Sequence, residues 1–387
     1  MKLDRYREKV LEAVAALAPE TVPLAQAAGR FLAAPVLARI AAPPHTCSAM
    51  DGYAVRSGDL GGAPVRVTQT LYAGDLPGPP LGIGEAARIF TGAPLPGGAD
   101  AVIREEAARV EGESVHFSQA AAPGENVRRA GEDIARGGMA LPPGTRLGAR
   151  QLALCAAVDV VEVEVVRRPR VALISTGDEV LRGRVPDSNG EAVAGLLRSL
   201  GAEVSRRVVG DDQEAVVAAL SAAVDQGDAA VTIGGVSVGE KDHVPASLKR
   251  LSAEIVVHGV PMKPGRPFLF ARLRGRPVLG LPGSPSACLV AFEVFARPAL
   301  LRLAGAARLE RRRLALPLAE PVSGRPGRAR FVWAALESDG RVRPIGRDAA
   351  QVRGPALADA LVHLAEGSGD LAAGDAVETW LLEDDAA

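Results

Sequence analysis

A short buried strand that stops at two consecutive glycines is the feature that most constrains this chain. Val231–Ile233 is a β-branched run that ends at Gly234-Gly235, a pattern typical of a strand that enters a loop with unusual backbone dihedrals. The loop continues to Glu240–Asp242, which supplies two carboxylates and one ammonium. Phosphate favours backbone amides and cations, whereas Mg²⁺ favours hard oxygen ligands, so the stretch suits both together. A solvated glycine turn would explain this loop equally well on its own.

The surrounding segment, from Pro169 to about Gly305, alternates strands with helices. Such alternation predicts a mostly parallel sheet with helices on both faces. The predicted strands are Arg170–Ile174, Ala202–Val209, Ala229–Ile233 and Arg276–Leu281, and the predicted helices are the segment around Glu191–Leu200, Gln213–Val224 and Ser286–Leu303.

Polar, glycine-rich loops follow three of these strands. They are Ser175–Glu179, Gly234–Gly239 and Leu281–Ser286, and the loop Met262–Pro267 adds two cations. Because the carboxyl ends of parallel strands share one edge of a sheet, these loops can converge there, and ligands of such sheets bind at that edge. The long helix after the third loop would direct its N-terminus at the site and favour an anion. Four such features at one edge favour a binding site over a set of solvated turns.

The rest of the chain predicts three further domains. Helices are expected at Leu3–Leu17, with Asp4 as its cap, and at about Leu24–Ala33, and a short helix near Ala149–Ala156 precedes the alternating run Val160–Val166. Short alternating runs among many glycines and prolines indicate small β domains elsewhere. The predicted boundaries are a discontinuous helical domain at 1–41 and 140–168, a small β domain at 42–139, the α/β domain at 169–305 and a terminal β domain at 306–387.

Composition excludes some classes of partner. The formal net charge of −1 gives no overall attraction to nucleic acid or to an anionic membrane. The chain opens without the basic-then-apolar order of a signal peptide, and its apolar runs stay shorter than about 18 residues. Three cysteines far apart in sequence indicate no disulfide framework. We therefore expect a cytoplasmic protein that binds neither nucleic acid nor membranes.

Eight motifs distributed over nearly the whole chain carry a family resemblance. In chain order they are SAMDGYA (Ser48–Ala54), TGAPLPGGAD (Thr91–Asp100), PGENVRRAGEDI (Pro123–Ile134), STGDEV (Ser175–Val180), DSNG (Asp187–Gly190), GGVSVGEKDHV (Gly234–Val244), MKPGRP (Met262–Pro267) and GLPGSPSA (Gly280–Ala287). In this order they resemble the MoeA family of molybdopterin molybdenumtransferases, to which the E domain of gephyrin is similar.

The resemblance implies both an architecture and a reaction. It implies a homodimer whose subunit has an elongated helical domain, an inserted β domain, an α/β domain like the molybdopterin adenylyltransferases and a terminal β-barrel. It also implies that adenylylated molybdopterin (molybdopterin-AMP) and molybdate combine, with Mg²⁺, to give molybdenum cofactor and AMP. The implied partners are a molybdopterin adenylyltransferase and the molybdoenzyme apoproteins or their chaperones.

The resemblance also assigns site residues. The implied catalytic residues are Asp51, Thr91, Asp133, Glu179, Asp211 and Asp242, and Glu179 and Asp242 are the implied Mg²⁺ ligands. The implied substrate-binding residues are Ser175, Thr176, Gly177, Gly234, Gly235, Ser237, Gly239, Lys263, Arg266, Pro282, Gly283 and Ser284. Thr91 can donate its hydroxyl proton to an oxyanion, and Lys263 and Arg266 can neutralise phosphate or molybdate oxygens. We expect Asp51 and Thr91 of one chain to act with Glu179 and Asp242 of the other.

Simpler roles stay open for single residues and for the chain. Asp51 and Asp133 could cap turns, and Asp211 could cap the helix at Gln213. Ser284 stands where the family commonly has asparagine, Arg266 stands in place of a second lysine, and 258–261 lack a lysine that some members carry. The alternative functions are an adenylyltransferase or phosphate-ester hydrolase at the same site, or a non-catalytic dimeric scaffold.

Overall fold

The computed structural model of the chain describes residues 2–237, 239–324, 327–346 and 350–382. Val238 of the predicted glycine loop, and residues 325–326, 347–349 and 383–387 of the predicted terminal domain, lie outside the described residues. The chain forms two compact units. The larger unit comprises Met1–Ala34, Pro143–Ala149 and Glu164–Ala387, and the smaller comprises Pro35–Pro142 and Arg150–Val163.

The strands are numbered here in chain order. Those of the first 168 residues are β1 (Pro19–Pro23), β2 (Val36–Leu37), β3 (Cys47–Ser48), β4 (Gly52–Val55), β5 (Val65–Leu71), β6 (Glu85–Ile89), β7 (Ala101–Arg104), β8 (Ala108–Glu111), β9 (Ser114–Phe117), β10 (Val127–Arg128), β11 (Met139–Leu141) and β12 (Glu162–Val166). The later strands are β13 (Arg170–Thr176), β14 (Glu203–Val209), β15 (Ala229–Ile233), β16 (Glu254–His258), β17 (Met262–Lys263), β18 (Leu269–Leu273), β19 (Arg276–Leu281), β20 (Arg313–Pro317), β21 (Ala329–Leu336), β22 (Val342–Pro344), β23 (Ala360–Leu364) and β24 (Ala376–Leu381).

The helices follow the same convention. The α-helices are α1 (Leu3–Glu12), α2 (Ala149–Ala157), α3 (Asp178–Leu181), α4 (Ser188–Ser199), α5 (Gln213–Gln226), α6 (His243–Arg250), α7 (Pro285–Ala291), α8 (Arg297–Leu303) and α9 (Arg353–Ala356). Short 3₁₀ turns lie at Leu24–Gln26, Ser57–Asp59 and Glu105–Ala107, and a π-helical turn lies at Phe292–Ala296.

The smaller unit is built on a mixed sheet in the order β7-β4-β6-β5-β9-β8, in which β5 and β6 run parallel. Successive residues of one strand enter different cores. Tyr53 and Val55 of β4 pack in one buried cluster, and Ala54 between them packs in another. Side chains of a strand alternate between the two faces of the sheet, so both faces of β4 are covered.

The larger unit holds the predicted α/β sheet, in the order β14-β13-β15-β19-β18-β16. The four strands β14, β13, β15 and β19 run parallel, whereas β18 and β16 are antiparallel to their neighbours. Every residue of β15 is buried. Val231 packs in the core that includes α4 and α7, and Ala230 packs in the core that includes α5 and α6. Helices therefore cover both faces, and the prediction of a mostly parallel sheet is confirmed.

The long helix predicted at Ser286–Leu303 is present as α7, the π turn and α8 in succession, from Pro285 to Leu303. Glu293 lies in the π turn and is buried. Its Oε2 accepts a hydrogen bond from Nε of the buried Arg311 at 3.0 Å. This ion pair ties the helix to the segment that enters the terminal β domain.

The strands of the C-terminal segment form a sheet with β17, which comes from the preceding segment, in the order β17-β21-β23-β24-β20, with β22 paired to β21. Its core includes Val332, Val362 and Val377. Just after β20, Leu318 forms a parallel bridge with Val342 of β22. The predicted terminal β domain is therefore present as a β-sheet domain.

The predicted helix at Leu24–Ala33 is wrong, and the preceding helix is shorter than predicted. Only a 3₁₀ turn forms at Leu24–Gln26, and α1 ends at Glu12 with Lys2, not Asp4, at its cap position. The amide of Leu32 donates to Thr145 O at 3.0 Å, and Leu32 forms an antiparallel bridge with Val165. Pairing with distant backbone thus replaces helical hydrogen bonds here, so the first domain is less helical than predicted.

Membrane crossing would require a long apolar helix. In the part of the chain that the structure describes, none of the helices is both long enough and apolar enough to span a bilayer.

A buried carboxylate joins the starts of the parallel strands, at the edge away from the predicted site. The side chain of Asp228 is 0% exposed, and its two oxygens accept hydrogen bonds from both terminal nitrogens of Arg167, at 2.6 and 2.7 Å. The amide of Arg170, the first residue of β13, donates to the same carboxylate at 2.9 Å. Burial opposes ionisation, but these hydrogen bonds outweigh it and hold the pKa of Asp228 below its usual value.

We predict that Asp228→Ala lowers the free energy of unfolding of the larger unit by about 3 kcal/mol, because the guanidinium of Arg167 loses its buried partner. Both tryptophans of the chain, Trp333 and Trp380, lie in that unit, so their fluorescence during urea unfolding measures the effect. Asp225→Ala is the matched control. Its carboxylate is 56% exposed and pairs with Arg274, so its loss should cost at most about 1 kcal/mol.

The same prediction has a definite pH dependence. A carboxyl with a lowered folded-state pKa stabilises the protein above its unfolded pKa and loses that contribution as the pH falls through the folded pKa. The difference in the free energy of unfolding between wild type and Asp228→Ala should therefore be largest above pH 3.8 and should decrease below it. An equal loss in the Asp225 variant, or a gap that is constant down to acid pH, would contradict this account.

Candidate active site

The carboxyl ends of β13, β15 and β19 border a cleft of about 530 Å³. Twelve of the predicted site residues line it: Ser175, Thr176, Gly177, Glu179, Asp211, Gly234, Gly235, Ser237, Asp242, Pro282, Gly283 and Ser284. The three strand-end loops that the sequence placed at one edge thus converge.

Other predicted residues lie outside this lining. Lys263 and Arg266 are exposed, and neither is among the described residues that border the cleft, although Pro267 of the same loop is. Gly239 does not border the cleft either, but its amide donates to Oδ2 of Asp242 at 2.8 Å. Gly239 therefore orients a lining carboxylate instead of facing the cleft itself.

Glycine at the end of β15 allows the first two loops to approach closely. Gly234 and Gly235 have φ values of +81° and +63°, in the left-handed region that side chains disfavour. A Cβ on Gly234 would lie 2.8 Å from Thr176 Oγ1 and 3.1 Å from Thr176 O, which is too close for a carbon atom. The amide of Gly234 also donates to Leu281 O at 3.0 Å. This one glycine therefore contacts the loops of both neighbouring strands.

A second set of contacts fixes the outer wall of the cleft. Ser175 Oγ donates to Oδ2 of Asp187 at 2.7 Å, and Oδ1 of Asp187 caps α4 by accepting the amide of Gly190 at 2.9 Å. Nδ2 of Asn189, in the first turn of α4, donates to Gly283 O at 2.7 Å and so joins α4 to the third loop. Asp187 and Asn189 both line the cleft but were not predicted as site residues. The motif DSNG, which contains both, was the signal that could have identified them.

The carboxylates in the cleft differ in how they are held. Asp242 precedes α6 and accepts the Gly239 amide with one oxygen, and Glu179 lies in the first turn of α3. Asp211 receives a long contact from the amide of Asp178, at 3.5 Å. The cap of α5 is Asp212, whose side chain accepts the amide of Ala215, so the helix-cap role considered for Asp211 is wrong.

The lining is more acidic than basic. Glu179, Asp187, Asp211 and Asp242 contribute carboxylates, and among the described lining residues Lys241 alone contributes a cationic side chain. Lys241 was not predicted as a site residue, although it stands within the motif GGVSVGEKDHV. Among the described residues, His, Cys, Asp and Glu side chains nowhere form a group of three or more that could hold a metal ion by themselves. A cation here would need additional ligands from substrate or water.

The smaller unit holds the other predicted group. Oδ1 of Asp51 accepts two hydrogen bonds from Thr91, one from its amide and one from its hydroxyl, both at 2.7 Å. The hydroxyl bond and then the amide bond hold the pKa of Asp51 below its usual value. The hydroxyl proton of Thr91 is thus directed at Asp51. Asp133 is exposed in a bend, where its amide donates to Ala42 O at 3.1 Å.

Comparison with known proteins decides the family. The family described as the MoeA N-terminal region (domain I and II) matches residues 1–158, the probable molybdopterin binding domain matches 172–302, and the MoeA C-terminal region (domain IV) matches 315–382. A molybdopterin molybdenumtransferase 2 from Mycobacterium tuberculosis is 35% identical over 401 residues, which cover 98% of this chain and 99% of that protein. The chain belongs to the MoeA family.

Further relatives agree with this assignment. A molybdopterin molybdenumtransferase from Nostoc is 40% identical over 306 residues, which cover 75% of this chain and 70% of that protein. The crystal structure of a molybdopterin biosynthesis moea protein from Pyrococcus horikosii matches with a TM-score of 0.81 and 34% identity, over 99% of both chains.

The MoeA-family assignment also settles the class of activity. This MoeA-family protein is an enzyme with molybdopterin molybdenumtransferase activity in molybdenum cofactor biosynthesis, so molybdopterin and molybdate are its substrates. The alternatives of an adenylyltransferase or hydrolase and of a non-catalytic scaffold are not supported.

We predict that Thr91→Val raises the pKa of Asp51 toward its ordinary value of 3.8, because the hydroxyl bond is the largest cause of the lowering. NMR titration of the Asp51 carboxyl carbon measures the change. Thr91→Ser keeps the hydroxyl and should leave the pKa close to that of wild type. A pKa that stays unchanged in Thr91→Val, or that rises equally in Thr91→Ser, would show that another group sets it.

Proposed function

We propose that this MoeA-family enzyme accepts molybdopterin in its adenylylated form, inserts molybdenum from molybdate with the help of Mg²⁺, and releases molybdenum cofactor and AMP. The observation that carries the proposal is the convergence of three glycine-rich strand ends, four carboxylates and one ammonium at a single cleft. The link between the pterin phosphate and AMP is a phosphoanhydride with concentrated negative charge. A site for it needs polar donors, cations and a route for AMP to leave.

The chain's own groups supply the donors. Gly235 exposes backbone at the cleft without a side chain, and Ser237 adds a hydroxyl, whereas the amide of Gly234 is already bound to Leu281 O. The helix that begins at Pro285 follows Ser284 at its cap position, so the positive end of its dipole lies at the same wall. Lys241 provides the ammonium within the lining. Together these groups would bind phosphate oxygens and orient the anhydride.

Mg²⁺ is the cofactor that best fits the remaining residues. Glu179 and Asp242 supply hard carboxylate oxygens to one cleft, and Mg²⁺ is commonly held by one or two carboxylates with substrate phosphates and water. The excess of carboxylates over cations in the lining supports this, because an anionic substrate would otherwise be repelled. When bound, Mg²⁺ would neutralise phosphate charge and polarise the anhydride.

Two predicted cations act, in this proposal, at the margin of the cleft. Lys263 and Arg266 belong to the exposed loop that reaches the lining through Pro267. They would contact phosphate or molybdate oxygens that extend beyond the lining. Arg266 offers a planar fork of donors where a lysine would offer a point charge, which suits an oxyanion bound through two oxygens.

The smaller unit also takes part in the proposed reaction. Asp51 and Thr91 form a preorganised pair, and Asp133 supplies a further exposed carboxylate. We propose a cytoplasmic homodimer that provides two equivalent sites, each using Asp51 and Thr91 of one chain and Glu179 and Asp242 of the other. A molybdopterin adenylyltransferase would supply the substrate, and molybdoenzyme apoproteins or their chaperones would take the product.

Two finer points of architecture belong to the same proposal. The α/β sheet would be organised as in the molybdopterin adenylyltransferases. The terminal sheet would close into a barrel, and the bridge between Leu318 and Val342 supports closure because it links the end of β20 to β22.

The test uses charge-neutral substitutions of nearly equal size. Glu179→Gln and Asp242→Asn should each lower kcat for AMP release by about 100-fold or more, the size of effect expected when one electrostatic contact to a transition state is lost. The far-ultraviolet circular dichroism spectrum should be unchanged. Glu240→Gln is the matched control, because Glu240 lies in the same loop and does not line the cleft. Near-normal turnover of either cleft variant at saturating Mg²⁺ would remove that residue from the proposed site.

A further inference from the structure

Two stacked aromatic rings, the exposed Tyr72 and the half-buried Phe90, lie beside Thr91 in the chain. The rings of Tyr72 and Phe90 have centroids 4.9 Å apart and planes 8° from parallel. Tyr72 is 55% exposed, whereas the large rings of Tyr53, Phe268 and Phe270 are almost fully buried. Aromatic residues make up only 3% of the chain, so an exposed aromatic ring is uncommon in this protein. We call Tyr72 and Phe90 the aromatic shelf.

Several contacts hold the shelf in place. The amide of Tyr72 donates to Oδ2 of Asp75 at 2.7 Å, and the amide of Phe90 donates to Leu71 O at 3.2 Å. The guanidinium carbon of Arg88 lies 5.4 Å from the centre of the Phe90 ring, a cation–π distance. A ring held in this way loses little conformational freedom when it binds a ligand.

The shelf is continuous with the proposed site in the smaller unit. Phe90 directly precedes Thr91, whose amide and hydroxyl both bind Asp51. On the other strand, Ala73 directly follows Tyr72. A Cβ built on Gly92 would lie 3.6 Å from the Cβ of Ala73, so the segment after Thr91 runs close to the segment after Tyr72. The aromatic shelf is thus adjacent in the fold to the segment that carries Thr91.

The contacts of Tyr72 within the described part of the chain do not explain why its ring is exposed. One face of it packs on Phe90, and within the described part of the chain its hydroxyl has no hydrogen-bond partner. Leu76 and Ile83, in the loop that follows, are more exposed still, at 81% and 84%, but neither is aromatic. A free π face suits a flat heteroaromatic ring, because stacking needs no matching hydrogen bonds.

We propose that Tyr72 is a substrate-binding residue that stacks on a planar heteroaromatic ring of adenylylated molybdopterin. That substrate has two such rings, the pterin and the adenine, and either has the chemistry that the shelf would recognise. The assignment rests on the proposed function of Asp51 and Thr91. Stacking would position the ring while Asp51 and Thr91 act on the polar part of the same molecule. Tyr72 is not thereby catalytic, so its loss should affect KM more than kcat.

The test compares Tyr72→Ala with Tyr72→Phe. Stacking on an aromatic side chain is worth enough that Tyr72→Ala should raise the Kd for adenylylated molybdopterin by about 5-fold to 100-fold, while Tyr72→Phe should bind as wild type. Leu76→Ala controls for the loss of exposed apolar surface from the same loop and should leave the Kd unchanged. Calorimetric titration with AMP alone and with molybdopterin alone then shows which ring stacks, because only one of the two should bind more weakly to Tyr72→Ala.

Each contrary outcome has a distinct meaning. A Tyr72→Ala protein that binds adenylylated molybdopterin as tightly as wild type overturns the shelf. So does a Tyr72→Phe protein that is as defective as Tyr72→Ala, because the hydroxyl and not the ring would then be responsible. The proposed roles of the cleft carboxylates are tested separately, because turnover retained by Glu179→Gln or Asp242→Asn would remove that residue from the proposed site. If those two variants lose turnover and Tyr72→Ala binds normally, the roles of Glu179 and Asp242 are supported. Only the proposal for Tyr72 is then contradicted.

Discussion

Close backbone packing at the end of β15 is the constraint on which the site depends. Only a residue without a side chain can lie at Gly234, because a Cβ there would meet both the hydroxyl and the carbonyl oxygen of Thr176. With glycine present, its amide donates to Leu281 O and joins the end of β15 to the last residue of β19. The ends of β13, β15 and β19 therefore lie together at one edge of the sheet, and their loops line one cleft.

Charge explains why this geometry is suited to phosphate chemistry with a cation. The walls of the cleft are acidic, yet the substrate of a molybdopterin molybdenumtransferase is an anion. Asp187 is already satisfied by Ser175 and by the amide of Gly190, so it serves the fold of the wall. Glu179, Asp211 and Asp242 are the other lining carboxylates, and we propose that Glu179 and Asp242 bind a divalent cation. In the smaller unit, the hydroxyl and the amide of Thr91 donate to Asp51 and lower its pKa further below the ordinary value.

Local patterns were sufficient to predict the α/β core. The β-branched runs of β13, β15 and β19 and the apolar spacing of α5 match the structure closely, because each is set by burial on a sheet or helix face. The segment Leu24–Ala33 was predicted wrongly because its hydrogen-bond partners, such as Thr145, lie more than a hundred residues away. Helical spacing carries no information about such partners.

The position of the site could be predicted from local sequence patterns, but the full set of lining residues could not. Glycine turns mark where strands end, so the lining residues of the three loops could be located from sequence. Which side chain of a loop faces the cleft depends on packing between loops. Lys241 and Asn189 were therefore missed. Lys263 and Arg266 lie outside the lining, and their contact with substrate oxyanions stays a prediction. Asp211 and Asp212 show the same limit, because adjacent identical residues take different roles.

Subunit mixing tests most directly the claim that both units serve one reaction in a dimer. Asp51→Ala and Asp242→Ala chains, each inactive alone, would be mixed under conditions in which subunits exchange, and AMP release measured. If each site draws Asp51 from one chain and Asp242 from the other, a mixed dimer has one intact site. Random reassortment should then restore about a quarter of wild-type activity. Exchange without any return of activity would show that each site is complete within one chain, which contradicts the account.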